Sequence, residues 1–249
     1  MISEEKKEAE DMDDYNVTNQ WYQAQEIPRE YEPVGKYTAK TFGWMFLGLM
    51  VTFLVSMAGY MTGAIIYVFM IPYAIFVLAI AEVAVVLFLS ARINKMSVGA
   101  ARGLFFLYAV LNGIVFSAYF LMYNVLDMVI VFAATSVFFG VMAAVGYVTK
   151  ADLSKLRNFL VGGLIFLVAF WLFGMFINLA QFEMIACTVG IFIFLLFTAY
   201  DTQKIKAYHA AYGSNPEMAK KASIFSALQL YLDFINLFLY LLRVLGRRK

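Results

Sequence analysis

The sequence predicts an all-α membrane protein, a bundle of seven transmembrane helices, and three observations carry that prediction. Of the 249 residues, 63% are hydrophobic and only 14% charged, against roughly 25% charged in soluble domains. No water-soluble core hides that much apolar surface, and the mean hydropathy of +0.77 says the same. Apolar runs of about 20 residues, the length that crosses a bilayer, recur along most of the chain. These runs lack period-two alternation, which selects helices over a closed barrel as the way for backbone in lipid to satisfy its own hydrogen bonds.

Taken in order, residues 1–36 come first as an acidic, disordered cytoplasmic tail. They hold ten of the seventeen acidic groups, beginning Glu4, Glu5, Glu8, Glu10, Asp11, Asp13 and Asp14, against four of the nineteen basic ones, a composition that buries too little apolar surface to fold. Residues 37–249 form the multi-pass domain. Seven apolar stretches are expected: Thr41 to Tyr60, Ile65 to Ser90, Gly103 to Tyr123, Met128 to Val148, Phe159 to Leu179, Met184 to Asp201, and Ala222 to Val244. Loops with Arg92, Lys95 and Arg102, then Lys150, Lys155 and Arg157, then Lys204, Lys206, Lys220 and Lys221 alternate with loops holding only Asp127, Glu183 or no charge. Basic loops stay inside, which places the N-terminus in the cytoplasm. Seven full crossings then leave Arg247, Arg248 and Lys249 outside, against the same rule; a full crossing of the last helix is preferred to a helix that dips and returns, because the earlier loops set the frame.

Several classes fall away. Cys187 is the single cysteine and lies in an apolar run, so neither a disulfide framework within the chain nor a thiolate zinc cluster is available. The acidic start lacks the basic and apolar regions of a secretory signal. The basic excess is spread over loops beside the membrane, where it meets lipid; nucleic acid would want it on one soluble face. Gly140 and Ala144, four apart, would let helices approach closely.

Three acidic residues sit within apolar stretches: Glu82 in the second, Asp201 at the end of the sixth and Asp233 in the seventh. A charge at mid-bilayer costs about 3 kcal/mol, so such groups face a bundle interior and mark an ion or proton path. On the seventh stretch Ser226, Gln229, Asp233, Asn236 and Tyr240 follow helical steps of three and four and share one face. Thr198, Asp201 and Thr202 make a shorter patch on the sixth. If these helices adjoin, Asp201 and Asp233 approach, two carboxylates cannot both ionise cheaply, and the pair shares a proton over part of the physiological range. Ionised, the same oxygens are hard ligands suited to Ca²⁺, whereas His209 and Cys187 are too isolated to build a softer site. The competing reading is that Asp233 only hydrogen-bonds Asn or Tyr neighbours and holds the bundle together. Arg92, nearly three turns after Glu82, reaches the cytoplasmic rim, either as a latch on a carboxylate or as a snorkelling topology marker like Lys95. Asn112 reads as a bridge between helices and His209 as a solvated loop residue.

The segment Phe197-Thr-Ala-Tyr-Asp-Thr-Gln-Lys-Ile-Lys206, followed by Ala227-Leu-Gln-Leu-Tyr-Leu-Asp-Phe-Ile-Asn-Leu-Phe238 and Leu241-Leu-Arg-Val-Leu-Gly246, resembles the signature of the Bax inhibitor-1 family, the transmembrane Bax-inhibitor-motif proteins. The seven-stretch plan extends the resemblance from about Lys36 to the end. It implies a bundle with the last helix at its centre and a pH-dependent calcium leak controlled by two aspartates, which match Asp201 and Asp233. Glu82 resembles the family's acidic residue on the second helix, and Arg92 sits where a basic cluster supplies the latch. The acidic tail and the long segment from Ala207 to Lys221 look like departures from compact bacterial members.

The function expected is a pH-sensitive calcium leak channel, not an enzyme: Asp201 and Asp233 as proton sensor and calcium contact, Arg92 as latch, Glu82, Gln229 and Asn236 along the ion path, calcium as the transported ion and no cofactor. The membrane expected is a bacterial inner membrane. Two alternatives remain. One is regulation of a membrane protease or death-pathway partner through the acidic tail. The other, weaker, is an intramembrane aspartyl protease; those enzymes carry Gly-x-Gly-Asp at the second aspartate, whereas Asp233 follows Tyr231 and Leu232.

Overall fold

Every peptide group that enters hydrocarbon without a partner costs several kcal/mol, and the chain meets that demand with helices. The computed structural model describes residues 32–246. Its elements are α1 (Val34–Met61), α2 (Ala64–Met70), α3 (Ala74–Arg92), α4 (Val98–Ser117), α5 (Tyr119–Met122), α6 (Val125–Val148), α7 (Arg157–Gly174), α8 (Glu183–Tyr212) and α9 (Pro216–Leu245), with 3-10 turns at Leu153–Leu156 and Ala180–Phe182. Among the described residues seven helical segments are long and apolar enough to cross a membrane: α1, α3, α4 with α5, α6, α7 with its leading turn, α8 with its leading turn, and α9. The all-α, seven-helix membrane architecture is as expected. The first helix begins at Val34, within the segment assigned to the acidic tail; residues 1–31 and the terminal Arg247, Arg248 and Lys249 lie outside the described residues.

Among the boundaries that differ from the hydropathy reading, three have a clear local reason. The second stretch is two helices, because Pro72 cannot donate an amide hydrogen to a continuous helix and the chain turns through Ile71 to Tyr73, the latter at φ 62°. The sixth helix runs eleven residues past Asp201 to Tyr212, and the seventh starts at Pro216, six before Ala222. The segment from Ala207 to Lys221 is therefore two helix ends meeting at Gly213 to Asn215. Asn215 closes the turn by accepting from the Met218 amide at 3.1 Å, and Pro216 occupies the first helical position, where its missing N–H costs nothing. His209 consequently sits in α8, buried, its ring 5.2 Å from that of Tyr37, a correction to the solvated-loop reading.

Burial is distributed very unevenly. In its most apolar window α9 is 72% buried, against 44% for the third span, 11% for α7 and 6% for α3. The last helix packs on α1, α4, α6 and α8. Tyr231 shows how: fully buried, it stands edge-on to Phe105 and Tyr108 with centroids 6.1 and 5.6 Å away, and its hydroxyl meets Thr52 Oγ1 at 2.6 Å. The close approach beside α8 falls at Gly146, where an added Cβ would collide with the Ala199 backbone. Gly140 and Ala144 are both exposed, so the small-residue packing expected there occurs six and two residues later.

Candidate functional site

Helices α8 and α9 are antiparallel arms of one helical hairpin, and their polar faces meet where Lys204 of one arm donates to Gln229 of the other. Asp201 is 6% exposed and Asp233 4%. Asp233 lies within electrostatic reach of both Asp201 and Lys204. Four buried polar atoms in this region have no hydrogen-bond partner: Asp201 Oδ1, Thr202 Oγ1, Ser226 Oγ and Asp233 Oδ2. Buried polar groups are nearly always paired, so four orphans together call for a functional explanation. Asp233 Oδ2 takes no hydrogen bond from an Asn or Tyr neighbour.

Beside the pair stands a cation that was expected to be a loop residue. Lys204, one turn after Asp201, places Nζ 3.7 Å from Asp201 Oδ1 and donates to Gln229 Oε1 at 3.3 Å. The same ammonium lies over the rings of Tyr200, Tyr208 and Phe225, 5.6, 5.4 and 5.9 Å from their centroids. Its spacing of three from Asp201 was the signal available in the sequence.

The rest of the motif holds the hairpin in place. Gln203 accepts from the Leu153 amide at 2.9 Å and donates to Ala151 O at 2.8 Å. Lys206 donates to Tyr147 O in the last turn of α6, where a cation complements the helix dipole. On the other arm Lys221, buried, reaches Glu217 Oε1 at 3.0 Å, Met96 O at 3.2 Å and Asn94 O at 3.5 Å. Ser223 Oγ meets Thr41 Oγ1 at 2.9 Å, and the Tyr37 hydroxyl donates to Ala219 O at 3.1 Å. These contacts tie both arms to α1, to the turn after α3 and to the turn after α6.

Of the residues singled out from the sequence, Asp201, Asp233 and Gln229 are brought together. Arg92 is not: it is exposed in the last turn of α3, the least buried span, and among the described residues it makes no ion pair. The cation on Asp201 is Lys204 instead. Glu82 occupies a separate place, half-buried beside Asn112 and within electrostatic reach of Tyr108, Tyr119 and Tyr231; its Oε1 and Asn112 Oδ1 are also orphaned. Asn236 donates to Leu232 O of its own helix at 2.8 Å and lines an apolar pocket of about 300 Å³ with Leu164, Leu167, Trp171 and Tyr240. Among the described residues no group of three or more His, Cys, Asp or Glu could hold a metal ion. The Asp201–Asp233 pair would supply two carboxylates and Gln229 one carbonyl, short of the six to eight oxygens of a tight calcium site.

Residues 34–249 match the family described as inhibitor of apoptosis-promoting Bax1. The inner membrane protein YbhL of Escherichia coli K12 is 37% identical over 215 residues, covering 86% of this chain and 92% of its own. A protein of Deinococcus radiodurans is 35% identical over 217 residues, 86% of this chain and 91% of that one. One of Borreliella burgdorferi is 33% identical over 215 residues, 86% and 93% of the two chains.

Proposed function

The chain belongs to the Bax inhibitor-1 family, a family of membrane proteins, and we propose that it acts as a pH-sensitive calcium leak channel with the Asp201–Asp233 pair as proton sensor and cation contact. The observation that carries this reading is a pair of carboxylates, each more than nine-tenths buried, on adjoining apolar helices, with Asp233 Oδ2 lacking a hydrogen bond and Asp201 Oδ1 met only by the Lys204 ammonium at 3.7 Å. Two such carboxylates in low dielectric are cheapest with one proton between them. Gaining or losing that proton changes the charge of the path by one unit where no water screens it. Proton and calcium compete for the same oxygens, so calcium occupancy rises with pH as the second carboxylate ionises. Two carboxylates and a carbonyl make a weak site, which suits passage: an ion must enter and also leave.

The cytoplasmic face is read as the side carrying the α8–α9 turn, with Lys206, Lys220 and Lys221, and the turn after α3 with Arg92 and Lys95. That orientation places the N-terminus inside. A bacterial inner membrane is the compartment proposed, in line with the description of YbhL. No group of the site is assigned a bond-breaking role, so the reading is of a channel and not an enzyme.

The test is calcium flux into liposomes across pH, with Asp201→Asn and Asp233→Asn. Each variant is expected to flatten the pH profile. Unchanged pH dependence in both would remove the pair from the mechanism.

A further inference from the structure

Of the four lysines on the hairpin, Lys204, Lys206 and Lys221 have side-chain contacts that differ in kind. Lys206 and Lys221 are engaged by main-chain carbonyls of Tyr147, Asn94 and Met96, which belong to fixed helix ends and turns. Among the described residues Lys204 touches no main-chain oxygen. Its ammonium is held by two side-chain oxygens, Gln229 Oε1 and Asp201 Oδ1, and by the faces of Tyr200, Tyr208 and Phe225.

We propose that the Lys204 ammonium is a tethered cation filling the entrance of the Asp201–Asp233 pair, so that a divalent cation reaches the carboxylates only by displacing it. The inference rests on the calcium-path reading above and says how access to that path is controlled. An ammonium is a compact point charge that seeks the same hard oxygens as a metal ion. The oxygens it engages, Asp201 Oδ1 and Gln229 Oε1, are those a calcium ion would need in addition to Asp233. They cannot serve both cations at once.

The position fits an entrance. Lys204 stands one turn beyond Asp201 along α8, and Gln229 one turn before Asp233 along α9, both toward the turn at Gly213 to Asn215. The ammonium therefore covers the pair from the hairpin side. Three aromatic faces within about 6 Å stabilise a cation without binding it to fixed dipoles, and the lysine side chain is still 25% exposed. A four-carbon stem with an open side can swing out and return. Calcium, a hard ion that does not exchange its water for aromatic faces, would take the oxygens and leave the aromatic wall empty.

Two measurements on the full chain test this. Calcium binding to the detergent-solubilised protein is compared for wild type, Lys204→Met and Lys204→Arg, each with and without Asp233→Asn, after circular dichroism and the thermal midpoint confirm folding. Lys204→Met is expected to raise Asp233-dependent calcium affinity by about tenfold or more, since a charge-assisted contact and the ring contacts no longer compete. Lys204→Arg, which keeps a cation there, should stay within about threefold of wild type. Unchanged affinity in Lys204→Met overturns the proposal.

The second measurement needs no substitution at Lys204, so failure of the Lys204 variants to fold does not block it. Labelling of Lys204 by an amine-directed reagent, read by mass spectrometry, is expected to increase severalfold in saturating calcium and to stay constant in Asp233→Asn. Calcium-insensitive labelling in the wild type overturns displacement, even if Lys204→Met binds more tightly through the loss of a positive field. Absence of Asp233-dependent calcium binding in both wild type and Lys204→Met overturns the calcium reading of the pair itself, and this proposal with it.

Discussion

Helices α3 and α9 are both long and each carries one carboxylic acid within its apolar run, yet only 6% of the apolar window of α3 is buried against 72% for α9. Mean hydropathy sets them at the two extremes of the seven spans, 2.6 for α3 and 1.6 for α9, in the direction opposite to burial. The more polar helix is the enclosed one. In lipid this is the expected order, because apolar side chains gain little by leaving hydrocarbon for a protein interior, whereas polar ones must find protein. Glu82 and Asp233 therefore do not carry equal weight as intramembrane acids. Glu82 is half-buried on a helix that faces mostly outward; Asp233 is enclosed among α8 and α9 with a second carboxylate and a lysine in reach.

The sharpest way to break this contrast is to neutralise each acid. Asp233→Asn is expected to remove the pH dependence of calcium flux, whereas Glu82→Gln keeps the profile and changes its amplitude by no more than about twofold, since one orphaned oxygen beside Asn112 is exchanged for an amide able to pair with it. Loss of pH dependence in Glu82→Gln with retention in Asp233→Asn would reverse the assignment. Packing gives a second comparison. Leu237 on α9 is fully buried and Leu87 on α3 is 63% exposed. Leu237→Ala should destabilise by about 3 kcal/mol, the cost of a cavity in a packed core, and Leu87→Ala by under about 0.5 kcal/mol, because lipid fills the space. Thermal midpoints in a common detergent measure both.

The helices were legible because a run of about 20 apolar residues has few other solutions in lipid. What hydropathy missed was the part of the hairpin outside the apolar runs. His209, Glu217, Lys220 and Lys221 lower the hydropathy between Ala207 and Lys221 without breaking helix geometry, so a helical arm read as a loop; the cap at Asn215 and Pro216 was the available correction. The two aspartates were legible because an ionisable group in an apolar run is conspicuous. Lys204 was not, since basic residues at span ends read first as topology markers, and only its spacing from Asp201 separates it from them. Arg92 was visible as a charge, but whether its side chain turns toward the bundle or toward solvent is decided by the tertiary placement of α3. The tight approach at Gly146 escaped for a similar reason: Gly140, Ala144 and Gly146 are equivalent in sequence and differ only in facing Ala199 or lipid.

The finest version of the comparison sets one hydroxyl against another. Thr52 donates its single hydroxyl hydrogen to Ala109 O at 2.9 Å, so at 2.6 Å from Tyr231 its oxygen accepts and the tyrosine donates. Tyr231→Phe thus leaves a lone pair unused but no orphaned donor, and should cost about 1 kcal/mol. Tyr73→Phe, on the 77% exposed tyrosine that opens α3, should cost under about 0.5 kcal/mol. The decisive readout is flux: Tyr231 lies two residues from Asp233 inside the same motif, but its hydroxyl is satisfied, so Tyr231→Phe should lower the thermal midpoint while leaving the pH profile where it was. A shifted profile would mean that the path runs along the Tyr231 face of α9, toward α1 and α4, and that the orphaned oxygens facing α8 are not its lining.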